Sequence, residues 1–284
     1  MKERIHFGYL PEEYSDPENA EIVIVPVAYD GTSTWIKGAD KGPAAMIEAS
    51  VNMELYDIET DSEVYKKGIF TEETTGGDIT TNEMIDAVHG IARYYLENNK
   101  FVVVIGGEHS VSIGSIKAHA RHFENLTVLQ LDAHTDLREE YNGSRNNHAC
   151  VMARTKELCP IVQVGIRSMD SSEKEAMDKA SVFFAKDIYN KTDWIKNVIS
   201  KLSENVYITI DLDVFDPSIM PSTGTPEPGG LLWYDVLELL KTVSDKKNLV
   251  GFDVVELCPN SRNTAPDFMA AKLIYKLLSY KFRK

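Results

Sequence analysis

Residues Leu129 to Asp136 read LQLDAHTD, an apolar segment of strand character that runs into three ionisable side chains at alternate positions. In an extended chain successive side chains face opposite ways. Asp132, His134 and Asp136 are therefore expected on one side, with small Ala133 and neutral Thr135 on the other. Two carboxylates and an imidazole then aim at one point. Like charges stripped of water repel, so the arrangement is sensible where a cation or an ordered polar network compensates them.

Working outward, apolar runs of strand length recur at residues 21–27, 101–107, 127–133, 161–167, 206–212 and 248–257, with a weaker one at 181–186. Segments of helical spacing lie between them, at 43–56, 82–99, 171–180, 193–202, 231–244 and 265–280. Strands that are apolar on both faces and alternate with helices predict a three-layer α/β domain, a mostly parallel sheet covered on each side by helices. No linker, repeat or low-complexity tract interrupts the alternation, so residues 1–284 read as a single domain. In such sheets ligands bind beyond the carboxyl ends of the strands, which is where LQLDAHTD places its charges.

Composition removes several classes of function. No apolar run is long enough to cross a bilayer, and the opening MKERIHFGYL has no signal-peptide core, so a cytoplasmic protein is expected. The formal net charge of -14 repels polyanions, arguing against nucleic acid and anionic membrane as partners and mildly favouring cationic ligands. Acidity of this size also serves solubility alone. Cys150, Cys159 and Cys258 form no CxxC pair, so neither a disulfide framework nor a zinc knuckle is expected, and the thiols read as free and buried.

Two further segments repeat the device. VYITIDLDVFDP ends a strand with Asp211 and Asp213 two apart, and VVVIGGEHSVSIGS follows a strand with Gly106 and Gly107 before placing His109 at or near a helix start. Alone, His109 would read as a structural histidine, Asp211 and Asp213 as a cap and a turn residue, and the glycines as a nucleotide loop. The GxGxxG and GKS/T patterns are absent. Together, His109, Asp132, His134, Asp136, Asp211 and Asp213 make a donor set of oxygen and nitrogen without sulfur. Such a set suits manganese, with iron, cobalt, nickel or zinc as competitors. Six protein ligands are too many for one catalytic ion, whereas two ions about 3.5 to 4 Å apart would use them all and hold a shared, readily deprotonated water between them.

The three segments resemble the signature stretches of the ureohydrolase family, which contains arginases and agmatinases. IGGEHSVSIG is similar to the first, VLQLDAHTD to the second and TIDLDVFDPSIMPSTGTPEPGG to the third. YDGTSTWIKGADKGPAAMIEAS, VGFDVVELCPN and TAPDFMAAKLI extend the likeness over nearly the whole chain. The resemblance implies an eight-stranded, arginase-like sheet, trimers or hexamers, and two manganese ions per subunit. His109, Asp132, Asp136 and Asp211 would hold one ion, and Asp132, His134, Asp211 and Asp213 the other, with Asp132 and Asp211 as bridges. It also implies that Asp136 orients the attacking hydroxide, that His148 serves proton transfer beside the substrate, and that Glu256 pairs with a guanidinium. Without the family, His148 would read as a helix-start residue and Glu256 as a surface charge.

The expected reaction is hydrolysis of a guanidino group to urea and an amine. Arginases carry an Asn-bearing loop after the second motif that reads the amino-acid carboxylate, whereas this chain continues DLREEYNGSRNNHACVM. That stretch is similar to agmatinases, which points to agmatine, cleaved to putrescine and urea in polyamine biosynthesis. Ala153 stands where many agmatinases carry arginine, so aminopropylagmatine and guanidinobutyrate stay open as substrates. Metal-dependent deacetylases share the general architecture but use one metal, and His109 favours two. A catalytically silent polyamine-binding relative is the other alternative, against which all six ligand positions are intact. Asp132→Asn, which removes a bridging charge, is expected to abolish both metal binding and urea release. Metal analysis and a urea assay check this, and an active Asp132→Asn protein would refute the bridging role.

Overall fold

The computed structural model describes residues 5–191 and 193–283. Its strands are β1 (Ile22–Ala28), β2 (Ile69–Thr71), β3 (Thr75–Gly76), β4 (Phe101–Gly106), β5 (Leu126–Leu131), β6 (Ile161–Ile166), β7 (Val182–Phe184), β8 (Asn205–Asp211) and β9 (Asn248–Val255). They form one sheet in the order β2-β1-β4-β9-β8-β5-β6-β7, and its strand pairings are parallel. The sheet has nine strands where eight were expected. Ile22 to Ile24 of β1 pair with β2, and Val27 and Ala28 of the same strand pair with β3. Two residues of Thr-Gly carry no periodicity from which β3 could be read.

Alternation along the strands sorts the core into two layers. Ile22 and Ile24 of β1, Val103 and Ile105 of β4, and Ile208 and Ile210 of β8 pack on one face with the helices Gly42–Ser50, Trp194–Lys201, Trp233–Lys246 and Ala265–Phe282. Val23, Val25, Val102, Val104 and Val128 pack on the other with Thr81–Glu97, Ser112–His122 and Val151–Lys156. The three-layer expectation therefore holds in side-chain detail. Thr81–Glu97 starts where the sequence says it should, because Thr80 and Glu83 cap each other's backbone N–H groups.

One expected helix fails. Residues 171–180 yield only a 3-10 turn, Ser171–Lys174, capped reciprocally by Asp170 and Glu173. Glu173 is buried and accepts from Thr135 Oγ1 and the Leu137 N–H, so tertiary demand overrides helical spacing. All three cysteines are free, with Cys150 buried and Cys159 and Cys258 only half-buried. Among the described residues no helix is long and apolar enough to cross a membrane.

The order β4-β9-β8-β5 inserts β8 and β9 between β4 and β5, which lie far from them in sequence. Chain direction across the sheet reverses there, because the segment after β4 crosses to β5 and leaves β8 and β9 to fill the gap, which makes a switch-point crevice. Inside this centre, Gly251 of β9 faces buried His119, whose Nδ1–H donates to the Ser115 carbonyl at 2.8 Å. A Cβ at Gly251 would fall 2.2 Å from His119 Nε2. Gly251→Ala is expected to destabilise the fold by roughly 1–3 kcal/mol, read as a lower urea midpoint at unchanged slope. An unchanged midpoint would show that the His119 ring has room to move.

Candidate metal centre and active-site cleft

Each of the four central strands delivers one piece of the site at or just past its carboxyl end. β4 leads to His109, β5 to Asp132, β8 ends on Asp211, and β9 is followed by Glu256. The first turn is held tightly. Gly107 donates its N–H to the Val27 carbonyl, and a Cβ on Gly107 would lie 1.9 Å from the Tyr29 carbonyl oxygen. Only glycine lets the backbones approach so closely.

His109 is buried, and its Nδ1 lies 3.2 Å from Asp132 Oδ2, 3.1 Å from Asp136 Oδ2 and 3.4 Å from Asp211 Oδ2. None of these contacts has hydrogen-bond geometry, so Nδ1 is a buried polar atom without a hydrogen-bond partner, surrounded by carboxylates. Across Asp132, His134 Nδ1 lies 2.9 Å from Asp213 Oδ2 and 3.7 Å from Asp132 Oδ1. Two groups result, His109 with Asp132 and Asp211, and Asp132 with His134 and Asp213. In each, the donor atoms lie within 4.8 Å of one another, and Asp132 belongs to both. An imidazole nitrogen aimed at carboxylate oxygens, twice over, fits divalent cations.

All six expected ligands are thus brought together, but not by strand alternation. β5 stops at Leu131, and Asp136 sits at φ 50°, left-handed backbone that a strand does not contain. Asp213 lies in the 3-10 turn Leu212–Val214. Loops folded over the strand ends do the aiming. The Ala133 N–H donates to Asp213 Oδ1 at 2.9 Å, and the His134 N–H donates to Asp132 Oδ1 at 2.5 Å.

Residues that no local pattern announces hold these loops. Gln130 Nε2 donates to Asp132 Oδ2 at 2.7 Å, and Gln163 Nε2 donates to Gln130 Oε1 at 2.6 Å and to the Thr135 carbonyl at 2.8 Å. Arg167 donates to the Asp213 and Glu227 carbonyls. Behind His109, Thr209 Oγ1 lies 2.9 Å from Nε2 and donates to Asp253 Oδ1 at 2.6 Å. Thr209 therefore accepts from Nε2–H, which leaves Nδ1 as the ligating nitrogen. Asp253 carries the only local hint, as the acid of VGFDVVEL.

Charge states follow the geometry. Burial alone would lower the His109 imidazole, but Asp132, Asp136 and Asp211 outweigh it and hold the ring well above its ordinary range. His134 likewise overcomes burial and is pushed up to about 12 by Asp213 and Asp132. Burial and the Asp132 charge raise Asp136 to about 7. Burial, Asp213 and Asp132 raise Asp211 well above the carboxylate range. Protons therefore do the work of cations in the metal-free chain.

Above this floor opens a cleft of about 290 Å³, lined among others by Asp136, His148 and Glu256. Glu256 is buried rather than a surface charge. Its backbone takes φ 67°, its N–H donates to the Gly107 carbonyl, and its Oε1 accepts the His109 N–H at 2.8 Å. Burial and the neighbouring Glu108 push its carboxyl well up. His148 opens the short turn His148–Cys150, and burial together with His109, His134 and Lys37 lowers its imidazole to about 4.

A family model described as the arginase family matches residues 20–279. An N(1)-aminopropylagmatine ureohydrolase of Synechocystis is 39% identical over 277 residues, covering 92% of this chain and 89% of its own. An agmatinase of Pyrococcus horikoshii is 30% identical over 275 residues, 94% of each chain. The crystal structure of the agmatine ureohydrolase of Thermoplasma volcanium superposes with a TM-score of 0.88 at 29% identity, over 100% of this chain and 96% of that one.

A cation entering the floor must displace the protons on His109 and His134. Manganese binding is accordingly expected to release protons and to tighten as pH rises from about 6 to about 8. Titration calorimetry in buffers of different ionisation enthalpy measures both. Affinity independent of pH, without proton release, would contradict protonated imidazoles in the metal-free floor.

Proposed function

From the premise that this chain belongs to the arginase family of ureohydrolases, hydrolases acting on C–N bonds, we propose that it cleaves an agmatine-type guanidino amine with two manganese ions. The observation that carries the reading is the pair of His/Asp groups sharing Asp132 beneath a cleft that also holds His148 and Glu256. His109, Asp132, Asp136 and Asp211 would hold one ion, and Asp132, His134, Asp211 and Asp213 the other. When bound, the ions supply Lewis acidity that activates water and offsets the clustered aspartates.

The chain's own groups supply the rest. A guanidinium is resonance-stabilised and a poor electrophile, so orientation and proton delivery carry much of the burden. Glu256 accepts N–H bonds from the planar cation and fixes its plane, a charge-assisted contact that also favours the ionised carboxylate. Asp136 lines the cleft beside the floor and is placed to take a proton from water and return it. Water adds to the guanidinium carbon, the bond to the alkyl nitrogen breaks, and the proton ends on the departing amine. His148, kept neutral, lines the cleft without repelling a cation and assists that transfer.

The aminopropyl-extended agmatine is the favoured substrate, because the relative of that name is 39% identical where the Pyrococcus agmatinase is 30% identical. Agmatine itself is the second reading, supported by the DLREEYNG stretch and by the fold shared with the agmatine ureohydrolase of Thermoplasma volcanium. Both are cations, in keeping with a net charge of -14.

Urea release from manganese-reconstituted protein, with aminopropylagmatine, agmatine, guanidinobutyrate and arginine side by side, tests the proposal. The first is expected to give the highest kcat/KM, agmatine the next, and arginine little. Binding of agmatine without any urea would instead support a silent relative. Glu256→Gln keeps an acceptor for the His109 N–H and should retain metal while losing about 10- to 100-fold in kcat/KM, the worth of a hydrogen bond to a charged group. Loss of metal in that variant would contradict the role assigned to Glu256.

A further inference from the structure

The segment Tyr29–Thr34, YDGTST, has no part in the chemistry above, yet the fold drives it into the cleft wall. Asp30 shapes it. One Asp30 oxygen accepts the Gly38 and Ala39 N–H groups at 2.6 and 3.2 Å, and the other accepts from Ser33 and from the Lys37 ammonium. The Tyr29 carbonyl takes the Glu108 N–H at 2.9 Å, which locks the segment to the turn that carries His109. Thr32 is thereby held between that turn and the one that carries His148. Its Oγ1 lies 2.9 Å from Glu108 Oε2, 3.0 Å from His148 Nδ1 and 3.0 Å from the His148 backbone nitrogen.

Counting donors decides how these atoms pair. Backbone N–H groups only donate, so one lone pair of Thr32 Oγ1 is taken by the His148 N–H. Glu108 is fully buried and already accepts the Ser110 N–H on Oε2 at 3.0 Å and the Ser110 hydroxyl on Oε1 at 2.5 Å. Burial pushes the Glu108 carboxyl up, but both of its oxygens already accept from Ser110 and those bonds pull it back toward the carboxylate, so the Thr32 hydroxyl hydrogen goes to Glu108 Oε2. The remaining Thr32 lone pair then faces His148 Nδ1, which must carry the hydrogen. Nε2 is left bare on a ring that lines the cleft.

The same chain of groups stands behind His109, where Asp253 and Thr209 hold Nε2–H and turn Nδ1 toward the aspartates. A carboxylate–threonine–imidazole relay thus stands at both histidines, on paired strands at His109 and on loops at His148. We propose that Thr32 and Glu108 are positioning residues that fix His148 in its Nδ1–H tautomer, so that a bare Nε2 meets an N–H of the cationic substrate. The tautomer stands on hydrogen bonding alone, and only the identity of the substrate rests on the ureohydrolase reading.

The test uses the full chain labelled with 15N-histidine and loaded with zinc, which is diamagnetic, with the His148 signals identified by their loss in His148→Gln. Long-range proton–nitrogen spectra are expected to show His148 protonated on Nδ1 in the wild type and in Thr32→Ser, and a tautomer mixture in Thr32→Val. In manganese-loaded protein, Thr32→Val should lose about 10- to 100-fold in kcat with a smaller change in KM, the usual cost of removing such an orienting partner, and Thr32→Ser should restore most of it. An Nε2–H tautomer in the wild type, an unchanged spectrum in Thr32→Val, or a changed spectrum with unchanged kcat would each overturn the proposal. Wild-type protein with the expected spectrum that releases no urea would refute the ureohydrolase reading and leave the tautomer assignment standing.

Discussion

Four aspartates buried at one spot are the constraint that the rest of the structure answers. Removing a single carboxylate from water costs several kcal/mol even after relaxation, and like charges a few ångströms apart add repulsion to that cost. With no metal, four carboxylates and two protonated imidazoles still leave a residual charge of about -2, and burial together with the neighbouring aspartates drives Asp136 and Asp211 up. One divalent ion with neutral imidazoles would leave the same deficit. Two remove it.

The sheet explains how so unfavourable a cluster is assembled. Strands apolar on both faces bury themselves between helices and bring the ends of β4, β9, β8 and β5 side by side. The fold energy then comes from the two hydrophobic layers, and the polar ends are carried along. Buried amides and a guanidinium finish the work. Gln130, Gln163 and Arg167 tie the loops by their carbonyls and carboxylates, so that repulsion cannot open them. Left-handed backbone at Asp136 and Glu256 marks where the chain accepts strain to aim a carboxylate.

Much of this was legible in the sequence. The six long strands and the two-faced burial follow from apolar runs, and LQLDAHTD, TIDLDVFDP and IGGEHS carry all six candidate ligands on contiguous letters. The reason they converge was not legible. Period-two alternation suggested a strand face, whereas Asp132 to Asp136 and Asp213 lie in turns beyond the strands. Nor could local pattern show Thr209, Thr32 or Glu108 as partners of the two histidines, because Thr209 meets Asp253 only by strand register and Thr32 meets Glu108 and His148 only where loops converge. The lost helix at 171–180 is the same lesson, since Glu173 spacing looked helical while its carboxylate was needed by Thr135 and Leu137.

The charge balance and the mechanism share one dependence, the number of cations the aspartates hold. Elemental analysis of the full chain after saturation with manganese and removal of excess metal measures it directly. Two ions per chain are expected, bound together over one narrow concentration range because each relieves the charge left by the other. A single tightly held ion at saturation would mean that the remaining aspartates are compensated by protons, and the paired-metal account would be wrong.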